Sequence, residues 1–253
     1  MMHSTTISKK ILKGLLPALF WLGVWQLLAT AVGQELLLPT PWQVAKVWGT
    51  LAATTTFWQA CLHSLLRIAA GYVLGVVAGI VLGVLCVYLP VADLLLSPVL
   101  RVVRAAPVAS FIILALVWIQ TDYLPIFIAF LMVLPLMFSA TTAAIRGVDG
   151  KLLEMAKVFG LPRSKVVAKI LLPAAAPAVM AQALTTLGLA WKSGVAAEVI
   201  CLPRLALGKF LQNAKIYLET PEVFAWTGTI IILSLALERL LQYGAKKISK
   251  GVA

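Results

Sequence analysis

The stretch IAAGYVLGVVAGIVLGVLCVYL, residues 68–89, contains no Asp, Glu, Lys or Arg and is long enough to cross a lipid bilayer as one helix. Every fourth position in it is a glycine, at Gly71, Gly75, Gly79 and Gly83. Residues four apart lie on the same face of an α-helix, so these glycines form one ridge. Lipid gives helices no hydrophobic reason to associate, and close backbone approach along such a ridge supplies the van der Waals contacts that hold a bundle together. We therefore predict a transmembrane helix whose glycine ridge packs against another helix.

Other uncharged stretches of similar length occur along the chain. Three more contain 21 or more residues, and two shorter ones contain 17 and 15 residues, which suffice if the flanking charges reach the lipid headgroups. The chain is 62% hydrophobic and 12% charged, whereas about a quarter of the residues in a soluble domain are charged. The sequence predicts an all-α polytopic membrane protein with about six transmembrane helices. Their expected ranges are 15–32, 68–89, 105–119, 123–145, 178–200 and 223–242.

The positive charge of the chain is distributed unevenly between the two sides of such a bundle. The formal net charge is +12, and with both termini in the cytoplasm 15 Lys and Arg residues would lie inside against five outside. Cytoplasmic loops of membrane proteins carry this excess of Lys and Arg, which sets their orientation. The basicity is thus explained by the membrane, and we expect no nucleic-acid partner.

A long inner loop, residues 146–172, is too charged to enter lipid, yet its apolar residues are regularly spaced. Three apolar residues form a stripe in its first half, followed by Gly160, which stands where a helix would end. These stripe residues are Leu152, Ala156 and Phe159. In the second half, apolar residues repeat at four-residue spacing until Pro173, which we expect to break the run before the fifth span. The pattern predicts an amphipathic helical hairpin that binds a protein partner or lies on the membrane surface.

The order of residues in this hairpin resembles the "EAA" loop of ATP-binding-cassette importer permeases, whose pattern is E-A-A-x3-G-x9-I-x-L-P. The residues at the positions of this pattern are Glu154, Met155, Ala156, Gly160, Ile170, Leu172 and Pro173. The spacing agrees throughout, and the departure is Met155, where the family has alanine. The predicted fifth span resembles the nitrate, sulfonate and taurine branch of these permeases, through LGLAW at 187–191 and AAE at 196–198.

The resemblance implies a transport subunit rather than an enzyme, with a single transmembrane permease domain over residues 1–253 and a cytoplasmic coupling loop at about 146–172. It implies that the first hairpin helix sits in a groove of a separate ATP-hydrolysing subunit and transmits the motion of that subunit to the bundle. The residues expected to make this coupling are Glu154, Met155, Ala156, Phe159, Gly160, Ile170 and Pro173. The alternative, an interfacial helix that touches only lipid, explains the stripe but not the spacing to Pro173.

The same resemblance implies two permease copies, two ATPase subunits and an extracytoplasmic solute-binding protein, in the cytoplasmic (inner) membrane of a bacterium. The chain has no phosphate-binding loop, so we expect ATP and Mg to bind to the partner ATPase and no cofactor to bind to this chain. Nitrate, sulfonates, taurine and a thiamine-precursor pyrimidine all remain open as solutes, because the binding protein largely sets selectivity in such systems.

Lys192 is the one charge inside an otherwise apolar predicted span. A lysine at the centre of a bilayer costs about 2.5 to 3.5 kcal/mol on insertion scales, so a polar group should meet it. Lys192 could face a shared pathway and attract an anionic solute, form an ion pair with Glu198 of another helix or subunit, or extend to the outer headgroups. Trp191 and Glu198 are weaker candidates for the pathway.

Two other classes of membrane protein need features that are not evident in this sequence. An intramembrane enzyme needs convergent nucleophiles, acids or metal ligands at membrane depth, and no such set or H-E-x-x-H motif occurs. We therefore expect neither catalytic residues nor a metal. An ion-driven secondary transporter would more usually have intramembrane carboxylates and inverted repeats.

Overall fold

The computed structural model describes the backbone of residues 4–252 and the side chains of residues 16–162 and 164–244. All regular structure in that described part is helical, which confirms the all-α prediction. The first helices are α1 (Ser4–Val32), α2 (Pro41–Ala52), α3 (Thr55–Tyr88), α4 (Pro90–Ala105), α5 (Val108–Ala115) and α6 (Leu124–Arg146). They are followed by α7 (Gly150–Val158), α8 (Arg163–Val166), a π-helical turn (Val167–Leu171), α9 (Leu172–Cys201), α10 (Leu207–Ile216) and α11 (Thr220–Val252).

The chain divides into two compact units. One contains the chain up to Gln59 together with Phe210–Ile230, and the other contains Ala60–Lys209 together with the chain from Ile231 onward. In the first unit, Trp226 packs between the rings of Phe57 and Phe210. In that unit too, Thr40 begins α2 with a capping box, in which its side chain accepts from the backbone N–H of Gln43.

Four described helices are long and apolar enough to cross a membrane. They are α3, α6, the continuous helix Ser164–Cys201 and the part of α11 from Thr220 to Gly244. The pair formed by α4 and α5 passes the same test together, but it is bent by 104°. The apolar part of α1 that the structure describes, Leu16–Val32, is shorter. A polytopic helical membrane protein is thus confirmed, and the number of about six spans stays a prediction.

The helix expected near residues 105–119, beginning with Pro107, does start after Pro107 but is shorter than expected, because it ends at Ala115. The helix α4 ends at Ala105, Ala106 and Pro107 have extended backbones, and α5 contains eight residues. Proline disfavours the helical conformation of the residue before it, so Ala106 leaves the helix. Eight residues extend about 12 Å, which is less than half of the hydrocarbon thickness. This segment enters the bundle as a broken helix.

The prediction that the helical run ends at Pro173, with the fifth span beginning near Ala178, is wrong. The helix continues from α8 through the π-helical turn into α9, and the N–H of Leu172 bonds to the carbonyl of Val167, five residues back. Proline has no N–H to donate and its ring clashes with the carbonyl four residues earlier in a regular helix. The wider π turn accommodates Pro173 without ending the helix.

The glycine ridge of α3 lies against α6. A β-carbon added at Gly75 would lie 2.8 Å from Val133 Cβ, and one at Gly83 would lie 2.7 Å from Thr141 Cβ. The β-carbons of Gly71 and Gly79 would likewise collide with α6. On its other side α6 packs along α9, and more than half of its apolar span is buried. This makes α6 the central helix of its unit.

Candidate functional site

The predicted hairpin is formed by α7 and α8. Asp149 caps the start of α7, because its side chain accepts a hydrogen bond of 2.9 Å from the backbone N–H of Lys151. At the other end the N–H of Leu161 bonds to the carbonyl of Ala156 at 3.0 Å, and Gly160 has a φ of +61°. A left-handed glycine with a bond between residues five apart is the Schellman ending of a helix. These two caps fix the length of α7.

We expect substitution of Gly160 to loosen the end of α7. An alanine in the left-handed region is strained by about 1 kcal/mol, whereas asparagine tolerates that region better. Gly160→Ala should therefore weaken amide protection of α7 in hydrogen exchange by about fivefold, and Gly160→Asn should weaken it less. Equal protection in the two variants would show that the positive φ is not what matters at this position.

The exposure of the side chains of α7 does not match the predicted apolar stripe. Ala156 is 2% exposed, while Phe159 is 73% exposed and Leu152 also lies at the surface. The three residues therefore do not form one buried side, because Phe159 already lies past the last helical residue. The exposed apolar residues of α7 and its end are Leu152, Met155, Val158 and Phe159, which we call the docking face.

A small apolar cluster joins the hairpin to the bundle, and we call it the root cluster. Its buried members are Ile145 at the end of α6, Leu171 in the π turn and Ala175 in α9. Leu153 of α7 and Val166 of α8 pack against it. Apolar packing of this density transmits displacement rather than absorbing it. The hairpin is therefore fixed to α6 and α9.

The remaining predicted coupling residues lie around this root. Glu154 is exposed on α7 and, among the residues whose side chains are described, forms no ion pair. Ile170 is half-buried in the π turn, and Pro173 is exposed near the start of α9. The structure thus places all the predicted coupling residues in one hairpin and its junction with α9, with Met155 and Phe159 facing outward.

The three predicted pathway residues lie on α9 beyond the root cluster. Lys192 is exposed, whereas Trp191 and Glu198 are buried, with Glu198 at 0% exposure. Glu198 does not pair with Lys192 of the same chain: its Oε2 accepts hydrogen bonds from Ser64 Oγ at 2.8 Å and from the N–H of Gly208 at 3.2 Å. Lys192 therefore points away from the protein interior that surrounds Glu198.

A polar cluster near the end of α9 was not predicted from the sequence. Arg67 of α3 donates to Asp122 Oδ1 at 3.1 Å and to the carbonyls of Arg204 and Leu205. Arg67 and Asp122 each border an uncharged stretch of the sequence. Their opposite charges, each beside a predicted span, were the available signal of a pair. Among the described residues, no group of three or more His, Cys, Asp and Glu side chains could hold a metal ion.

Comparisons with known proteins agree on one family. Residues 71–250 match the model of the binding-protein-dependent transport system inner membrane component. A protein of Brucella melitensis, named a probable ABC transporter permease, is 33% identical over 90% of this chain and 92% of its own. A permease assigned to aliphatic sulfonates transport in Escherichia coli is 31% identical over 90% of this chain and 85% of its own.

A solved structure shares the fold. A crystal structure of an amino acid ABC transporter superposes with a TM-score of 0.65 and 15% identity, covering 79% of this chain and 97% of that one. The predicted resemblance to importer permeases, made on the hairpin and on α9, is thus confirmed. The chain belongs to the family of binding-protein-dependent transport system inner membrane components, the permease subunits of ABC importers.

Proposed function

We propose that two copies of this chain form the membrane channel of an ATP-driven importer for a small anion, with the hairpin α7–α8 facing the cytoplasm. The importer-permease family supplies the class of function and implies an ATPase partner and a solute-binding protein. The observation that carries the finer proposal is a single helix, Ser164–Cys201, that begins at the hairpin and contains the exposed Lys192.

The orientation follows from charge. Arg146, Lys151, Lys157, Lys165 and Lys169 all lie in or beside the hairpin. Short loops with such an excess of basic residues stay on the cytoplasmic side. With an even number of spans, both termini lie in the cytoplasm, and the far end of α9 faces outward.

The docking face supports a protein partner over lipid alone. Its apolar residues alternate with Lys151, Glu154 and Lys157 around a nine-residue helix. A helix that binds in a groove presents a few large apolar anchors and a polar rim. ATP and Mg would bind to the partner ATPase, and this chain would contribute the hairpin and no cofactor.

Lys192 supports a second copy and an anionic solute. A lysine exposed on an apolar helix needs polar surroundings within the membrane. A water-filled pathway between two copies provides them and gives the pathway a positive charge. An alkanesulfonate, such as the E. coli relative is assigned to transport, carries the matching negative charge. A neutral solute such as a thiamine-precursor pyrimidine would gain nothing from this charge.

Reconstitution tests the proposal. The permease would be coexpressed with its partner ATPase and solute-binding protein, purified, and placed in liposomes with ATP inside or outside. We expect ATP-dependent uptake of methanesulfonate, taurine or nitrate, driven only by complexes that contain the ATPase. ATP-dependent uptake of a neutral pyrimidine without uptake of any anion would reject the anion assignment, and a permease that binds no ATPase would reject the coupling.

Replacement of Lys192 tests the charge. Lys192→Ala should lower the rate of anion uptake at least about tenfold while the complex still assembles, because the lost attraction is of the order of 1.4 kcal/mol or more. Lys192→Arg keeps the charge and should retain most of the uptake. If Lys192→Ala instead prevents assembly, as seen by size-exclusion chromatography, the lysine is a structural ion-pair partner.

A further inference from the structure

The segment between α9 and α10 is held by side chains rather than by secondary structure. Four of the five residues 204–208, which run into the first turn of α10, offer backbone groups to side chains elsewhere in the chain. The N–H of Arg204 bonds to Asp122 Oδ1 at 2.8 Å, and that of Leu207 bonds to Ser64 Oγ at 3.0 Å. Arg67 also binds the carbonyls of Arg204 and Leu205, and Glu198 binds the N–H of Gly208. The segment is therefore attached at both ends. We call Ser64, Arg67, Asp122 and Glu198 the loop clamp.

The clamp is buried where it touches α9. Glu198 and Ser64 are both 0% exposed, and the side chain of Arg67 is 13% exposed. A β-carbon at Gly208 would lie 2.5 Å from Glu198 Cβ, so the backbone of this segment touches the end of α9 directly. The Asp122 side chain, at the outer edge of the clamp, is 41% exposed. Buried polar groups that lose their partners are unfavourable, so the bonds of Glu198 and Ser64 hold each other in place.

The segment itself has an unfavourable backbone. Leu202 and Leu205 have φ values of +52° and +49°, in the left-handed region that leucine rarely adopts. Such conformations persist only where the surroundings impose them, and they concentrate at functional sites and switches. Arg67 supplies that constraint at Leu205 by binding its carbonyl, and the end of α9 supplies it at Leu202, whose N–H bonds to the carbonyl of Glu198. Without the clamp, the segment would relax to another conformation.

We propose that the clamp makes the segment 202–208 follow the end of α9, so that Arg67, Asp122 and Glu198 are positioning residues that couple α9 to the outer end of the pathway. The inference rests on the proposed function in one respect, the outward orientation of this end. The geometry is direct: α9 begins at the root cluster beside the hairpin, and Glu198 lies in its last turn before it ends at Cys201. A displacement that starts at the hairpin therefore reaches the segment through one helix.

A reporter cysteine measures the position of the segment. Ala206 lies in it and is 0% exposed, so Ala206→Cys is a small change that is protected while the clamp holds. In the complete complex, an impermeant maleimide added from outside should label this cysteine about tenfold faster when Asp122→Ala or Arg67→Met is also present. The parent chain without the reporter gives the background, since Cys61, Cys86 and Cys201 are buried.

A second reporter separates release of the segment from unfolding. Ala129→Cys lies in the core of α6, where Ala129 is also fully buried, and should stay unlabelled in the clamp variants. Unchanged labelling at residue 206, or equal acceleration at residue 129, would overturn the proposal. Neither measurement requires transport, so a parent complex that fails to transport bears on the proposed function alone.

The functional measurement is the amount of solute transported for each ATP hydrolysed. In proteoliposomes the Asp122→Ala complex should hydrolyse ATP at nearly the parent rate but move several-fold less solute per ATP. Glu198→Gln keeps an oxygen that can accept from Ser64 and Gly208, so it should restore the parent ratio where Glu198→Ala does not. A merely structural residue would lower hydrolysis and uptake in parallel, and that result would contradict a positioning role.

Discussion

Replacing Phe159 with glutamate should separate the permease from its ATPase and abolish uptake. Phe159 is the most exposed aromatic residue of the docking face, and large aromatic side chains of this kind dominate binding energies. A carboxylate in its place would be buried without a partner on docking, at a penalty of several kcal/mol. An association weakened by about 3 kcal/mol loses more than a hundredfold in affinity. Copurification of the ATPase and ATP-dependent uptake are the measurements.

Phe159→Leu is the matched control. It retains an apolar anchor at the same position and should keep both the ATPase and measurable uptake. If the hairpin were an interfacial helix that touches only lipid, the opposite result would be expected. Glutamate would then weaken the contact with lipid and leave the ATPase bound. A Phe159→Glu complex that still contains its ATPase and transports solute would remove the docking face from the mechanism.

Gly79→Val should prevent the permease from folding in the membrane. A β-carbon at Gly79 would lie 2.5 Å from Met137 Cβ and 3.0 Å from both the carbonyl oxygen of Leu134 and the N–H nitrogen of Phe138. These are backbone atoms and a β-carbon of α6, which no rotamer change can move. Overpacking by one methylene typically destabilises a core by about 1 to 3 kcal/mol, and separating two helices that touch along a ridge exceeds that range.

The control for this variant is a glycine with open space around it. Gly228 lies in the apolar helix α11 and has no atom that would come within 4 Å of an added β-carbon. Gly228→Val makes the same change in intrinsic helix propensity as Gly79→Val, without the collision. Fluorescence-detected thermal melting in detergent should give a melting temperature near the parent value for Gly228→Val and no folded peak for Gly79→Val. Similar melting of both would show that α3 and α6 can separate.

The long apolar stretches and the glycine spacing were readable from the sequence because each depends on residues close together in the chain. A run without charges identifies a span by length alone, and glycines at every fourth position must share a face. Neither pattern identifies the helix that packs against the glycine ridge. That the ridge of α3 meets α6 depends on the packing of the whole unit.

The prolines show where local reasoning fails. Pro107 ends a helix, Pro135 lies within α6, and Pro173 sits in a helix that continues through a π turn. The same ring chemistry acts at each position. The outcome differs because neighbouring helices and local π adjustments decide whether the freed backbone groups find partners. For the same reason a periodic stripe could not predict that Ala156 is buried while Phe159 is exposed.

The loop clamp could not be predicted from the sequence for a further reason. Its four side chains come from positions as far apart as 64 and 198, and most of its bonds go to backbone groups, which have no signature of their own in the sequence. Charged residues beside spans usually serve to anchor them in the headgroups. Only the fold shows that Arg67 and Asp122 turn toward each other and toward residues 204–208.

The unbroken helix from Ser164 to Cys201 contains 38 residues, which is a rod of about 57 Å. A rod of that length acts as a lever with its fulcrum near the root cluster. From the root cluster to Cys201 the arm is about 42 Å, so a tilt of only about 5° would swing the opposite tip by roughly 4 Å, more than the width of a water molecule. Modest rocking by a nucleotide-driven motor would thus suffice to open or shut an aperture on the far side of the bilayer.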